Sequence, residues 1–276
     1  MEFPTVLICG TGDYATASAI RLFRAGFKLL LLGQSPYYDL HQNRTFTRAI
    51  FQGFRKIRGV TARTFSDAIS RNMLPMGASL QQFISFTIKD QEIPLVLLQD
   101  LKEHEKFAVD YVLRFDEELY EALREHLNGN ETTIAPGEAA DAHYRLCTKP
   151  EFWGEVIYPF DEEEDFASNF SESDPSSASI VRAPIEGMFE ATVEIGQKIY
   201  EKEELGKINE IAIFAPHRGV VSGILNSGLI VERGQAIAEI SSPKIVGNAR
   251  VLPSEAFSLA GGALEAILFD WNRKNV

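Results

Sequence analysis

The chain has 276 residues, of which 45% are hydrophobic and 24% are charged, and its formal net charge is −12 at pH 7. The length suits two domains of ordinary size, and the acidity argues against nucleic acid or an anionic membrane as a partner. No apolar run approaches the ~18 residues of a membrane span. The only cysteines, Cys9 and Cys147, give neither a disulfide framework nor a metal-ligand cluster. We therefore expect a cytoplasmic protein without a metal site.

Strand-like apolar runs alternate with helical patterns over the first 160 residues. The predicted strands are 5–9, 28–32, 93–98, 107–113 and a late strand at 155–158. The predicted helices are 13–25, 45–52, 65–72 and 117–128. Strands that alternate with helices indicate a parallel sheet covered on both faces. We therefore predict an α/β, Rossmann-like nucleotide-binding domain with a parallel sheet over residues 1–160.

The first predicted strand runs into the sequence GTGDYA, which fits the pattern G-x-G-x-x-[G/A]. Gly10 permits the tight turn, Gly12 lets the backbone approach a phosphate, and Ala15 allows close packing of the helix on the strand. The helix N-terminus then directs free N–H groups at the phosphate. The predicted cofactor-binding residues of this loop are Gly10, Thr11, Gly12, Asp13, Ala15 and Thr16. The alternative is that the glycines serve the turn alone.

Other elements of a catalytic nicotinamide site are missing from the sequence. Dinucleotide-binding enzymes place an acid after strand two, but this chain has Gly33 and Gln34 there. The side chain of Gln34 offers hydrogen bonds without charge, so we include it among the candidate cofactor contacts. Cys9 is either a reactive thiol beside the helix N-terminus or a buried strand residue. No histidine has a metal-ligand spacing, and the catalytic residues stay unknown.

Residues 161–174 hold seven acidic residues and no basic residue. Together with the small residues up to position 179 they predict an acidic linker at 161–179. An acidic recognition segment anchored by Phe166 and Phe170 is the alternative.

An internal repeat follows the linker, in a region of short strands and frequent glycines. Five residue pairs recur at an offset of 32: Ala183/Ala215, Pro184/Pro216, Gly187/Gly219, Gly196/Gly228 and Ile208/Ile240. A fixed offset indicates two copies of one structural unit, and we predict that they interlock at 180–242 as a small β sandwich with approximate two-fold symmetry. Residues 243–276 are predicted to hold a helix that packs back on the body of the protein.

Three stretches together resemble one known family. They are ICGTGDYATASAIRLFRAGF at 8–27, RTFTRAIFQGFRKIRGVTAR at 44–63, and the series VRAPIEG, APHRGVVSGILNSG and AGGALEAIL between 181 and 268. Their order and spacing resemble the selenium-dependent molybdenum hydroxylase accessory (maturation) family, whose members carry a Rossmann-like domain followed by a biotinyl/lipoyl-like barrel. The resemblance implies that the repeat forms an all-β barrel-sandwich hybrid.

The resemblance also implies a function, which is the supply or modification of the molybdenum cofactor. The implied partners are a molybdenum hydroxylase or its maturation proteins, with a homo-oligomer also open. The cofactor stays unknown, and NAD(P) and a molybdopterin-type cofactor are the open candidates. Arg44 matches a family position and is a candidate contact for an anionic group, or else an exposed structural arginine.

Two alternatives to this function stay open, and whether the chain is an enzyme is undecided. One is an NAD(P)-dependent oxidoreductase, and the other is a non-catalytic scaffold or binding protein with a vestigial Rossmann site. Six residues separate Ile208 from Ala215, which is too few for the protruding lysine hairpin of a swinging-arm carrier. We therefore expect no covalent biotin or lipoate.

Overall fold

The computed structural model describes residues 3–161, 179–242 and 251–275. The described residues divide into two compact units. The first unit comprises 3–35, 46–161 and 253–275, and the second comprises 36–45, 179–242 and 251–252. Most of the linker expected at 161–179, and part of the segment expected at 243–276, lie outside the described residues.

The second unit includes a short stretch, 36–45, that we expected to lie within the first domain. Hydrogen bonds to the repeat region explain the difference. The N–H of Ile224 donates to the carbonyl of Leu40 at 2.9 Å, and the side-chain amide of Gln42 donates to the carbonyl of Ile224 at 3.1 Å. We call residues 36–45 the strap.

The first unit is built from nine strands and six helices within the described residues. Its strands are β1 Thr5–Cys9, β2 Lys28–Gly33, β3 Phe54–Ile57, β4 Val60–Thr64, β5 Ile93–Leu97, β6 Tyr111–Arg114, β7 Thr132–Pro136, β8 Tyr144–Leu146 and β9 Val156–Ile157. Its helices are α1 Asp13–Arg24, α2 Thr47–Gln52, α3 Phe65–Ser70, α4 Leu80–Lys89, α5 Glu117–Leu123 and α6 Ser254–Asn275.

The nine strands form one mixed sheet in the order β3-β4-β5-β2-β1-β6-β7-β8-β9. The strands from β4 to β8 run parallel, whereas β3 and β9 pair antiparallel with their neighbours at the two edges. The turn between β3 and β4 places Arg58 at φ 50° and Gly59 at φ 87°, as in a two-residue hairpin of type I′. The wholly parallel sheet that we predicted is therefore wrong, because alternating strands and helices give no signal for a hairpin added at an edge.

The centre of this sheet is buried on both faces, and that burial explains its sequence. Val6, Leu7, Ile8 and Cys9 of β1 are each at most 1% exposed. A strand covered by helices on both sides needs apolar residues at consecutive positions rather than at alternate ones. The run of apolar residues before Gly10 is thus the signature of the central strand.

Small residues let α6 pack closely on the first unit. Gly154, at φ 89°, lies so near α6 that an added Cβ would be 2.4 Å from the carbonyl carbon of Ser258. On the helix side, a Cβ at Gly262 would lie 2.0 Å from the carbonyl oxygen of Gly154. Helix α6 also packs along α1. Gly262 is therefore the residue of α6 at which the helix contacts the backbone of Gly154 directly.

The second unit contains eight strands in its described part. They are β10 Ser179–Arg182, β11 Gly187–Ala191, β12 Lys198–Ile199, β13 Glu204–Ile208, β14 Ile211–Phe214, β15 Gly219–Ile224, β16 Leu229–Val231 and β17 Ala236–Ser241. They form two four-stranded antiparallel sheets, with strand orders β10-β17-β15-β12 and β14-β13-β11-β16. Each sheet thus takes its two inner strands from one copy of the repeat and its two outer strands from the other copy.

Hydrogen bonds between the two copies occur in pairs. The donors of the two bonds are 32 residues apart in the chain, and so are their acceptors. Ala183 donates its N–H to the carbonyl of Gln235 at 2.8 Å, and Ala215 donates to the carbonyl of Glu203 at 2.9 Å. Likewise Gly196 donates to Val221 at 2.7 Å, and Gly228 donates to Phe189 at 2.8 Å. The two copies therefore make the same contacts with each other.

The predicted fold class needs correction. We predicted a Rossmann-like parallel sheet followed by a biotinyl/lipoyl-like barrel, and the structure has a nine-stranded mixed sheet, two four-stranded antiparallel sheets and a C-terminal helix. The barrel came from the family resemblance, whereas the repeat itself predicted two interlocked copies in a small β sandwich. No helix in the described ranges combines the length and apolar character that a membrane span requires.

Candidate functional site

The carboxyl edge of the mixed sheet has a topological switch point between β1 and β6. From β1 the chain passes through α1 to β2 on one side, whereas β6, on the other side of β1, comes later in the chain. In open α/β sheets the crevice outside such a point is where ligands bind. The predicted loop Gly10–Thr16 follows β1 at this point, and Phe115 and Asp116 follow β6.

The backbone of the loop is held in a conformation that its glycines permit. Gly10 has φ 114° and donates its N–H to the carbonyl of Leu32 at 2.9 Å. A Cβ on Gly10 would lie 3.4 Å from the Cβ of Asp116 and 3.7 Å from that of Ala15. Gly10 is therefore required by the positive φ of the turn, whether or not a ligand binds, whereas the β6 loop lies only in ordinary van der Waals reach of it.

Among the residues that the structure describes, no side chain caps the N-terminus of α1. Gly12 occupies the N-cap position, with extended backbone at φ −69° and ψ −165°. The first N–H groups of a helix have no carbonyl partner within the helix, and together with the helix dipole they attract an anion. Asp13 and Tyr14, the next two residues, are half-buried.

Two predicted contact residues hold the loop from inside. The Thr16 hydroxyl donates to the carbonyl of Thr11 at 2.9 Å and accepts from the N–H of Phe46 at 2.9 Å. The Thr11 and Thr47 hydroxyls share a hydrogen bond of 3.0 Å. Both loop threonines are fully buried, so their hydroxyls fix the loop rather than face solvent.

The remaining predicted residues lie in different places. Ala15 is buried beneath the loop, and Gln34 is half-buried after β2. Arg44 belongs to the strap, where its charge helps to hold the pKa of Glu239 low. The structure therefore brings the loop residues together at one edge and assigns Arg44 to the second unit.

The β6 side of the switch point is rich in charge. Asp116 accepts the N–H of Leu119 at 3.1 Å and so caps α5. Arg114, which is buried, pairs with Glu117 and with Asp141, the latter at 2.9 Å. Burial raises the pKa of the adjacent Cys9 thiol, and the negative charge of Asp116 raises it further. Cys9 is thus a protonated, buried strand residue rather than a reactive thiolate.

Three aromatic rings lie near the loop, and the sequence analysis assigned none of them. The ring centroid of Tyr14 is 6.3 Å from that of Phe115 and 6.5 Å from that of Trp153. The Trp153 indole donates to the carbonyl of Glu255 at 3.0 Å, which fixes its orientation. Tyr14 stands inside the GTGDYA motif, but Phe115 and Trp153 are distant in sequence and carry no motif.

Two other sequence expectations concern metals and carriers. The described part of the chain has no group of three His, Cys, Asp or Glu residues that is arranged to hold a metal ion. Lys207, the lysine just before the short connection between Ile208 and Ala215, lies inside β13, where it pairs with Glu190 on one side and Ala212 on the other.

Comparison with known proteins gives few matches of functional use. No family model matches the chain. A curated relative, described as the uncharacterized protein YqeB of Escherichia coli K12, is 29% identical over 268 residues, which is 95% of this chain and 47% of the relative. The chain therefore spans about half the length of this relative.

The solved structures that match are similar only at a low level. The product-bound ectoine utilization protein EutE (DoeB) of Ruegeria pomeroyi is 10% identical, with a TM-score of 0.26 and coverage of 87% of this chain and 86% of that chain. A succinylglutamate desuccinylase/aspartoacylase of Rhodobacter sphaeroides is 12% identical, with a TM-score of 0.25 and the same coverage. Likeness at this level transfers no activity to this chain.

These matches correct the family that we predicted. The solved structures are described as desuccinylase, aspartoacylase and ectoine utilization proteins, not as molybdenum hydroxylase accessory proteins. The predicted family and its role in molybdenum cofactor supply are therefore wrong. The motifs behind the prediction consist largely of glycine turns. The positive φ of Gly10 shows that a backbone conformation can require such a residue.

Proposed function

We propose that the first unit binds a small anionic ligand, through a phosphate group, at the Gly10–Thr16 loop. The observation that supports this function is the position of an uncapped helix N-terminus at the switch point of the sheet. A helix N-terminus supplies N–H donors and positive potential, and a switch point supplies a crevice. The glycine-turn conformation at Gly10 brings the two together.

The residues around the loop would divide the work of binding. The N–H groups that follow Gly12 would donate to phosphate oxygens, and the buried Thr11 and Thr16 hydroxyls keep the loop rigid. The rings of Tyr14, Phe115 and Trp153 would contact the apolar or planar part of the ligand. Gln34 stays a predicted contact of this ligand. A cytoplasmic location stays part of the proposal, supported by the two unbridged cysteines.

Two isosteric variants at the N-cap test this function. Gly12 has a backbone conformation open to any residue, and both Asp and Asn are favourable N-caps, so Gly12→Asp and Gly12→Asn should each preserve or slightly raise helix stability. Only the aspartate adds a negative charge at the anion site. A charge about 5 Å from the phosphate opposes binding by about 1–3 kcal/mol at an effective dielectric of about 20–80.

Calorimetric titration with inorganic pyrophosphate and with adenosine diphosphate measures the effect. We expect the wild type to bind at least one of them, and Gly12→Asp to bind at least about 5-fold more weakly than Gly12→Asn, the fold-change of ~1 kcal/mol. Thermal unfolding of both variants checks that the fold is intact. If the wild type binds neither probe, or if both variants bind equally, the loop is not the anion site.

A further inference from the structure

A serine and a histidine form a hydrogen-bonded pair in the second unit, separate from the loop of the first unit. The Ser179 hydroxyl oxygen lies 2.8 Å from Nε2 of His217, and Nδ1 of His217 lies 3.1 Å from the carbonyl oxygen of Arg218. Both side chains are half-buried, so they are fixed but open to solvent. Ser179 begins β10, and His217 lies in the turn before β15.

The carbonyl of Arg218 settles which nitrogen carries the proton. A carbonyl only accepts, so Nδ1 of His217 must donate to it. In the neutral imidazole, Nε2 then has its lone pair directed at Ser179, and the Ser179 hydroxyl donates to it. A nucleophile within hydrogen-bond reach of a base, with the base oriented by a third group, is the arrangement that activates serine.

The repeat shows that the fold does not need this polar pair. At the offset of 32, Ser179 corresponds to Ile211, and His217 corresponds to Ile185. The other half of the same architecture therefore has two apolar residues at the equivalent positions. Both halves make matching backbone contacts, so packing alone does not explain why one half has a serine and a histidine where the other has two isoleucines.

The backbone positions of the pair are set by regular structure. Ser179 pairs with Ile240 of β17 in the ladder between β10 and β17. The turn of His217 ends at Gly219, where an added Cβ would lie 2.5 Å from a methyl carbon of Ile240. The strand and the turn therefore approach the same residue of β17, which holds the two side chains at a fixed separation.

We propose that Ser179 is a nucleophile for acyl transfer from small acyl esters, with His217 as its general base. The Ser179 oxygen attacks the ester carbonyl carbon while its proton passes to Nε2 of His217. The bond to the leaving alkoxide breaks, and the alcohol departs with that proton. Water then attacks the acyl-serine with the same base, which releases the carboxylic acid and restores the serine hydroxyl.

A fluorophosphonate probe and p-nitrophenyl acetate test this proposal on the full chain. We expect the fluorophosphonate to bond to the Ser179 oxygen with loss of fluoride, located by peptide mass spectrometry. Ser179→Ala should abolish both labelling and ester hydrolysis. His217→Gln should slow both by about 100-fold or more, the usual contribution of a general base.

The matched control is Ser254→Ala, which removes an exposed serine hydroxyl bonded to Glu255 without a histidine partner. It should label and hydrolyse like the wild type. Absence of label at Ser179 in the wild type, or a label that His217→Gln leaves unchanged, would overturn the proposal.

Discussion

Asp270 is the carboxylate that ties α6 to the mixed sheet, and its replacement gives a quantitative test of how the first unit is held together. It is 3% exposed. Its Oδ2 accepts from Tyr111 at 3.0 Å, from Thr132 at 3.3 Å and from Lys274 at 2.6 Å, and its Oδ1 accepts from Tyr144 at 3.0 Å. One side chain near the end of the chain therefore gathers donors from β6, β7 and β8.

The variant Asp270→Asn keeps the shape of the side chain and removes its charge. Hydrogen bonds to a charged group contribute about 1.5–3 kcal/mol each, and a buried donor left without an acceptor costs about 1–3 kcal/mol. The ammonium group of Lys274 is half-exposed and can be hydrated again, so losing its ion pair with Asp270 costs little. The amide has one uncharged acceptor oxygen, where the carboxylate offers two charged ones to the hydroxyls of Tyr111, Thr132 and Tyr144. We expect unfolding to become easier by about 2–4 kcal/mol.

The pH dependence of this difference has a definite sign. Burial alone would raise the pKa of Asp270, but the hydrogen bonds from Lys274, Tyr144 and Tyr111 outweigh burial, and the net pKa is lowered. A lowered pKa in the folded state contributes stability that is complete above the unfolded value of about 3.9 and disappears as the pH falls below it. The gap between wild type and variant should therefore be widest near neutral pH and should shrink in acid.

Urea unfolding followed by tryptophan fluorescence measures this gap, because both tryptophans, Trp153 and Trp271, belong to the first unit. The control is Glu265→Gln on the same helix, where an exposed carboxylate bonds only Tyr158 in the described structure, at 2.9 Å. It should cost less than about 1 kcal/mol. An Asp270→Asn gap below about 1 kcal/mol at pH 7, or one that stays constant down to pH ~3, would refute the reasoning.

Three further substitutions test separate features. Glu239→Gln should destabilise the second unit by about 1–3 kcal/mol near pH 7, because the hydrogen bond from His41 outweighs burial and lowers the Glu239 pKa to about 2. Hydrogen exchange of the amides of β15 and β17 should show this destabilisation. The difference in stability between variant and wild type should shrink as the pH falls from about 4 towards 2. Gly154→Ala should cost about 1–3 kcal/mol more than Gly129→Ala in urea unfolding, since both have positive φ but only Gly154 meets backbone. Thr16→Val, which strands a buried N–H, should cost about 1–3 kcal/mol, whereas Thr16→Ser should be near neutral by the same measurement.

Strands and helices could be predicted from the sequence where a continuous stretch of residues is buried. The apolar run that ends at Cys9 and the helix that begins at Asp13 were predicted with the bounds that the structure has at those ends. The β3–β4 hairpin escaped prediction, because β3 is partly exposed and both strands mix charged with apolar residues. The one clear local signal for the hairpin is the Arg58-Gly59 turn, and the alternation of apolar runs with helical patterns does not detect such a turn.

The candidate site was predictable only in its backbone. The glycine loop follows from a local pattern, but the approach of Asp116 to Gly10 depends on which strand lies beside β1. Likewise Trp153 reaches the vicinity of Tyr14 through a hydrogen bond to α6, about 100 residues away in the chain. Contacts of that kind are set by tertiary packing, and no spacing in the sequence encodes them.

The glycines that suggested a family are required by the fold itself. An added Cβ at Gly187 would lie 2.3 Å from Asn209, and one at Gly219 would lie 2.5 Å from Ile240. Any chain with these turns must keep such residues, whatever it binds. Specific function must then depend on side chains at positions where the backbone accepts different residues. Ser179 and Ile211, which occupy equivalent positions in the two copies of the repeat, are an example. Substitutions at those positions should change ligand or reaction while leaving the unfolding free energy close to that of the wild type.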